Sequence, residues 1–127
     1  MGTRSLTFVY DGDVPVINIY RQYDGYPSGH GHELAQFLDS KTLVNGYGEQ
    51  NSFEANGMGC LAAQLIVQLK HGVGGIYIYP VSSTDCFQDY EYHVYEDKVV
   101  VKDPTAVIFE GTWEEFGQFC LDPISAE

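Results

Sequence analysis

At 127 residues the chain is long enough for one domain with a real core, spanning residues 1–127, and too short for two. Its formal charge of −12, from 6 Lys and Arg against 18 Asp and Glu, excludes a surface that tracks nucleic-acid phosphates, which needs clustered cations. A hydrophobic content of 44% belongs to a globular chain, and no apolar run reaches the ~18 residues that a membrane span needs.

The first residues, Met1 to Ser5, lead into a strand pattern with no signal-peptide apolar region. Leu6 stands where a myristoylation signal wants Ser or Thr. Cys60, Cys86 and Cys120 are far apart, odd in number and form no CxxC pair. A disulfide framework or a zinc site is not expected, and the reading is a reducing, cytoplasmic setting without metal or cofactor.

Ser5 to Tyr10 alternates and is rich in Leu, Phe, Val and Tyr, as a strand does. Asp11-Gly12-Asp13 is a turn signal, and Val16 to Tyr23 reads as the second strand of a hairpin. A two-residue turn at Gly12-Asp13 sets Leu6 against Ile19, Phe8 against Ile17 and Arg4 against Arg21. A turn at Asp11-Gly12 slides the pairing by two and keeps both arginines on one face; a three-residue loop breaks the relation.

Tyr26 is extended because Pro27 follows it. Ser28 is the expected N-cap of a helix over residues 29–40, with Leu34, Phe37 and Leu38 buried. Residues 41–50 read as loop. Asn51 and Glu54 have the spacing of a capping box for a helix over 52–70, whose buried stripe is Met58, Leu61, Leu65 and Leu69. Gly57 and Gly59 would each cost about 1 kcal/mol inside that helix, so either it begins at Asn56 or something packs close there. Gly72 to Gly75 ends it.

Strands follow over Ile76–Val81, Tyr90–Tyr95, Val99–Lys102 and Ala106–Glu110. Thr112 and Glu115 form a capping box for a short helix carrying Trp113, Phe116 and Phe119. The order ββ-αα-ββββ-α places strands in blocks. It predicts an α+β fold: a mainly antiparallel sheet of five to six strands, two central helices on one face and a short C-terminal helix. The Tyr-rich later strands leave room for a homo-oligomer through edge pairing.

The segment from Tyr20 to Glu33 concentrates the chemistry. Arg4 and Arg21 are the whole guanidinium supply, and side by side they need an anion or a carboxylate between them. Asp24, Glu33 or Glu54 could supply it internally; a ligand's phosphate or carboxylate is the alternative. Ser28-Gly29-His30-Gly31 opens a helix and would offer amide N–H groups to an anion, as Asn56-Gly57-Met58-Gly59 could for the next helix. Neither matches a P-loop or a dinucleotide fingerprint. Tyr20, Tyr23 and Tyr26 could stack on a base or sugar, or pack in the sheet. His30 beside Asp24 has the makings of a general base and its orienter. His30 and His32, two apart on a helix, point to different sides and do not suit a shared metal. His71 and His93 read as ordinary helix-end and strand residues, and Cys60 as a small buried hydrophobe.

Three segments, Gly2 to Thr7, Tyr20 to Gly31 and Asn56 to Gln64, resemble a family of small hypothetical proteins of phages, viruses and bacteria. The resemblance implies a cytosolic, phage-borne protein and a counter-defence role; it carries no residue-by-residue function.

Three functions stand as expectations. The first is non-catalytic binding of a small anionic, nucleotide-derived ligand by Arg4, Arg21, Tyr23, Tyr26, Ser28, Gly29, His30 and Gly31, as in sequestration of an immune signalling nucleotide. The second is a hydrolase or phosphodiesterase acting on such a ligand through His30 and Asp24. The third is an acidic protein that blocks a host partner, although its acids are scattered and form no run of five.

Overall fold

The computed structural model describes residues 2–46 and 53–121. Strands β1 (Ser5–Asp11) and β2 (Val14–Arg21) form the first hairpin around Gly12-Asp13. Gly12 takes φ of 63°, which a tight hairpin turn demands and glycine allows. Beside the turn, Asp11 faces Val14 and Tyr10 faces Pro15, as the two-residue turn requires. A bulge between Val9 and Tyr10 then shifts the register by one, so that Val9 faces Ile17, Thr7 faces Ile19 and Ser5 faces Arg21. Pro15, which has no N–H to give the ladder, stands at the break.

That single step overturns the expected pairing of Arg4 with Arg21. Side chains alternate along a strand, so a slip of one residue moves a whole set to the other face. Val9, Ile17 and Ile19 face the main core, and Leu6, Phe8 and Tyr20 form a smaller cluster on the opposite face.

Strands β5 (Ile76–Tyr79), β6 (Tyr90–Val94), β7 (Val99–Lys102) and β8 (Val107–Gly111) complete a six-stranded sheet ordered β5-β2-β1-β6-β7-β8. Within this sheet only β1 and β6 pair in parallel. The fold is therefore α+β with a mostly antiparallel sheet, as the blocks of strands predict. The parallel pair exists because the connection from β5 to β6 crosses the sheet. Asn18, fully buried, donates through Nδ2 to the carbonyls of Pro80 and Ser83 at 3.0 and 2.9 Å. At the far end, Asp89 N–H donates to the Arg4 carbonyl at 2.8 Å. The crossing loop thus lies over Leu6, Phe8 and Tyr20, and its Cys86 packs on them.

Helix α1 (His32–Asp39) is preceded by a wide, π-type turn over Pro27–Gly31. Tyr26 is extended (φ −70°, ψ 161°) as expected, but no side chain caps the turn. The expected Ser28 cap is replaced by Pro27 at the first helical position, where its missing N–H costs nothing. Leu34, Phe37 and Leu38 are buried.

Residues expected as loop include β3 (Thr42–Val44), which pairs in parallel with β4 (Glu54–Asn56). Three residues are too few to show a period of two. The expected cap at Asn51 lies outside the described residues. Helix α2 (Gly57–Leu69) starts directly after Asn56 and buries Met58, Leu61, Leu65 and Leu69. Helix α3 (Trp113–Leu121) has the reciprocal box: Glu115 N–H donates to Thr112 Oγ1 at 3.1 Å, and Thr112 N–H to Glu115 Oε1 at 2.8 Å. One core joins Val9, Ile19, Tyr92, Val94, Val99 and Val101 of the sheet to Leu34, Leu61, Leu65 and Phe116 of the helices.

The Tyr-rich strands divide. Strand β6 lies inside the sheet, and β5 is an edge. Gln22 N–H donates to Gly75 O, so by alternation Ile76 and Ile78 turn their backbone groups outward. Those of Ile76 are taken: its N–H goes to Gly74 O, and its carbonyl accepts from Lys70 Nζ at 2.7 Å. Among the described residues no helix is long and apolar enough to cross a membrane.

Candidate functional site

Arg21 is the last residue of β2 and faces the helices. Its Nε–H donates to the Tyr23 carbonyl at 2.7 Å, and Nη2 to Glu33 Oε1 of α1 at 2.9 Å. Nη1 lies 3.3 Å from His30 Nδ1. A guanidinium has five N–H donors and no acceptor; three are committed, which leaves two without an acceptor among the described residues.

The tautomer of His30 follows. Nδ1 faces a group that can only donate, so it carries the lone pair, and Nε2–H donates to Thr7 Oγ1 at 2.7 Å. His30 is fully buried. Burial first, and the Arg21 charge second, push its pKa down to about 3, because a proton on Nδ1 would face a cation in a dry site. Tyr92 meets the ring edge-on at 5.0 Å and donates its hydroxyl to the Gly25 carbonyl at 2.7 Å.

These contacts correct two expectations. Arg4 stands apart from Arg21, and among the described residues its hydrogen bonds are made by the backbone, with N–H on Asp89 Oδ2 at 3.0 Å. His30 and Asp24 do not form an acid–base pair. The bond between them runs from His30 N–H to the Asp24 carbonyl at 2.7 Å, while both ring nitrogens are engaged elsewhere.

The amides of the Gly-rich turn are also spent. Gly29 and Gly31 N–H both donate to Tyr26 O, at 2.9 and 3.4 Å, and His30 N–H to Asp24 O. The glycines answer to crowding. A Cβ on Gly29 would stand 2.6 Å from the Asp24 carbonyl, and one on Gly31 3.0 Å from Cys120 Sγ. Ser28 is exposed and caps nothing. The turn expected to cradle an anion instead packs Tyr92 and His30 under the sheet end.

A cleft of about 380 Å³ opens beside it, lined by Arg21, Tyr23, Asp24, Glu33, Leu69, His71, the loop Gly72–Gly75 and Ile76. Of the candidate binding and catalytic residues read from the sequence, Arg21, Tyr23 and Asp24 line this cleft, together with Glu33, one of the expected internal partners of the arginines. Tyr23 is 55% exposed, and Tyr26 stands nearby with its hydroxyl 3.4 Å from Asp24 Oδ1. The Gly72–Gly75 loop, which the sequence marks as a helix stop, forms one wall of the cleft. Gly74 and Gly75 lie at φ 76° and 77°, and the loop's carbonyls are used: Gly74 O accepts from Lys70 Nζ and Ile76 N–H, and Gly75 O from Gln22 N–H. The N–H groups of Gly72, Val73, Gly74 and Gly75 donate to no acceptor among the described residues.

A second titratable chain lies on the other sheet face. Tyr10 O–H donates to His93 Nδ1 at 2.6 Å, and His93 Nε2–H to Glu91 Oε1 at 3.0 Å. Gln88 Nε2 donates to the other Glu91 oxygen at 2.8 Å. The hydrogen bond from His93 holds the Glu91 carboxyl below the usual carboxylate range, and burial pushes the Tyr10 phenol up. Glu91 and His93 are two apart on a strand and so share a face; that spacing was the signal for this network. Tyr10 stacks on Tyr95 at 4.3 Å. A larger cleft of about 730 Å³ borders Tyr95, but Asp13, Glu96 and Asp97 outnumber Lys98 in its lining. Among the described residues no group of three or more His, Cys, Asp or Glu could hold a metal ion.

In comparisons with protein-family models, curated proteins and solved structures, nothing matches this chain.

Proposed function

We propose that the protein binds a small, nucleotide-derived ligand in the Arg21 cleft and does not turn it over. One observation carries the reading. The guanidinium of Arg21 keeps two N–H donors, beside a loop whose four consecutive amides have no acceptor among the described residues, in a cleft of about 380 Å³; among those residues the two donors have no acceptor either. Donors of this kind suit an anionic group, and the volume falls within the range of small-molecule sites. The exposed Tyr23 ring supplies an apolar face for a base or sugar. Binding without turnover is favoured because His30, the histidine expected as general base, has both ring nitrogens engaged and is held neutral by burial.

The wider role we infer is sequestration of a signalling nucleotide in the cytoplasm of an infected cell. It rests on the resemblance of Tyr20 to Gly31 and its companion segments to small phage and bacterial proteins.

Calorimetry against cyclic nucleotides and ADP-ribose derivatives tests the binding. At least one should bind, and it should be recovered intact after the protein is denatured. Arg21→Ala should weaken binding by about tenfold or more, since a charge-assisted hydrogen bond contributes ~1.5–3 kcal/mol. Absence of binding across the panel, or release of a cleaved ligand, would overturn the reading.

A further inference from the structure

The charges in the Arg21 cleft do not balance for a bare anion. One guanidinium lines it with two carboxylates, Asp24 and Glu33. Glu33 is bonded to Arg21 at 2.9 Å, so these two cancel. Asp24 is left as the uncompensated charge, and among the described residues its carboxylate is met only by the Tyr26 hydroxyl, at a long 3.4 Å. The residue is exposed, and its backbone holds φ at 61°, a left-handed conformation that side chains other than glycine, asparagine and aspartate rarely adopt. For the turn alone, glycine or asparagine would serve as well. A carboxylate adds only acceptor oxygens and a negative charge.

We infer that Asp24 is the specificity-determining residue of this cleft, and that the ligand carries an N–H donor edge as well as an anionic group. The inference rests on the proposed binding reading. The anionic end lies on the free donors of Arg21 and the Gly72–Gly75 amides, and the donor edge on the Asp24 carboxylate. An N–H edge hydrogen-bonds to that carboxylate and an ammonium also offsets its charge, whereas a plain phosphate ester does neither. Two sources share the chemistry: an amino-bearing nucleobase, whose neighbouring N–H groups match the two carboxylate oxygens, and a zwitterion with an ammonium group.

Titration calorimetry of the full chain with three probes separates the cases. Guanosine 5′-monophosphate offers base N–H donors, O-phosphoethanolamine an ammonium, and ribose 5-phosphate neither. At least one of the first two should bind about tenfold or more tightly than ribose 5-phosphate, and which one does identifies the source. Asp24→Asn keeps an amide suited to the left-handed backbone and removes the charge. It should weaken the preferred probe by about tenfold and leave ribose 5-phosphate unchanged or tighter, so the two move in opposite senses. Asp24→Gly, which relaxes the backbone, should lose the same preference while melting no lower than the natural chain. If all probes bind and both variants shift them alike, Asp24 only repels anions; the inference then falls and the binding reading stands. If none of the probes binds, the inference falls together with this site's claim on nucleotides.

Discussion

The two faces of the sheet use the same kind of residue in opposite ways. Under the helices, His30 has a guanidinium against one nitrogen and a hydroxyl against the other, and it is held neutral. On the loop-covered face, His93 has a carboxylate against one nitrogen and a phenol against the other. A cation beside a buried imidazole opposes a second proton. His30 on the helix-covered face is therefore electrostatically locked, whereas the other face carries a hydrogen-bonded chain of phenol, imidazole and carboxylate. Packing follows the same division: one extended core on the first face, and a small cluster of Leu6, Phe8 and Tyr20 on the second.

The largest test of that contrast is mechanical. Phe116 is fully buried between Tyr92 and Phe109. Phe116→Ala should cost about 3–5 kcal/mol in urea unfolding. Phe8→Ala, under a loop that can settle into the space, should fall at the low end of that range. Equal losses would break the distinction between a rigid face and a yielding one.

The next effect is electrical. His30 has a folded pKa of about 3, below the ~6.5 of an unfolded chain. When the folded value is depressed, the unfolded chain binds the extra proton, so stability is complete above ~6.5 and is lost as pH falls toward 3. Between pH 7 and 4.5 the loss should reach about 2–3 kcal/mol. His30→Gln, which cannot titrate, should remove that part of the slope when urea midpoints are compared at the two pH values. A variant that keeps the full slope would show that His30 is not locked.

The smallest effect belongs to the loop-covered face. Tyr10→Phe deletes the donor to His93 Nδ1 at a partly exposed site and should cost about 1 kcal/mol. The Nδ1 resonance in a ¹⁵N spectrum should move while that of His30 stays in place. A shift at both would mean that the faces are coupled.

Much of this arrangement was legible in the chain. Alternation in β1, the Met58 to Leu69 stripe and the Thr112–Glu115 box each repeat a local rule, and each element stands close to where that rule puts it. The register of the first hairpin was not legible. It turns on one extra residue, Val16, next to Pro15 and opposite the Val9–Tyr10 step, which no periodicity announces. The error passed directly to the site, because pairing Arg4 with Arg21 depends on parity along the strand. The glycines misled for a related reason. Gly29 and Gly31 admit a carbonyl and a thiol at close range, and a sequence does not separate a glycine kept for crowding from one kept for an open amide. The loop His71–Gly75 joins the cleft only through the tertiary meeting of the end of α2 with the ends of β2 and β5.

Lys70 carries a consequence for handling the protein. Its ammonium spans Gly74 O at 3.0 Å and Ile76 O at 2.7 Å, and it lies over the Tyr77 ring. It thereby occupies acceptors at an edge that otherwise shows Tyr77 and Ile78 to solvent. Acylating reagents, amine-directed cross-linkers among them, neutralise that group and uncover a sticky ribbon. A multimer trapped by such chemistry would be a product of the reagent, and mass measurement of the untreated chain in solution is the sounder guide to its copy number.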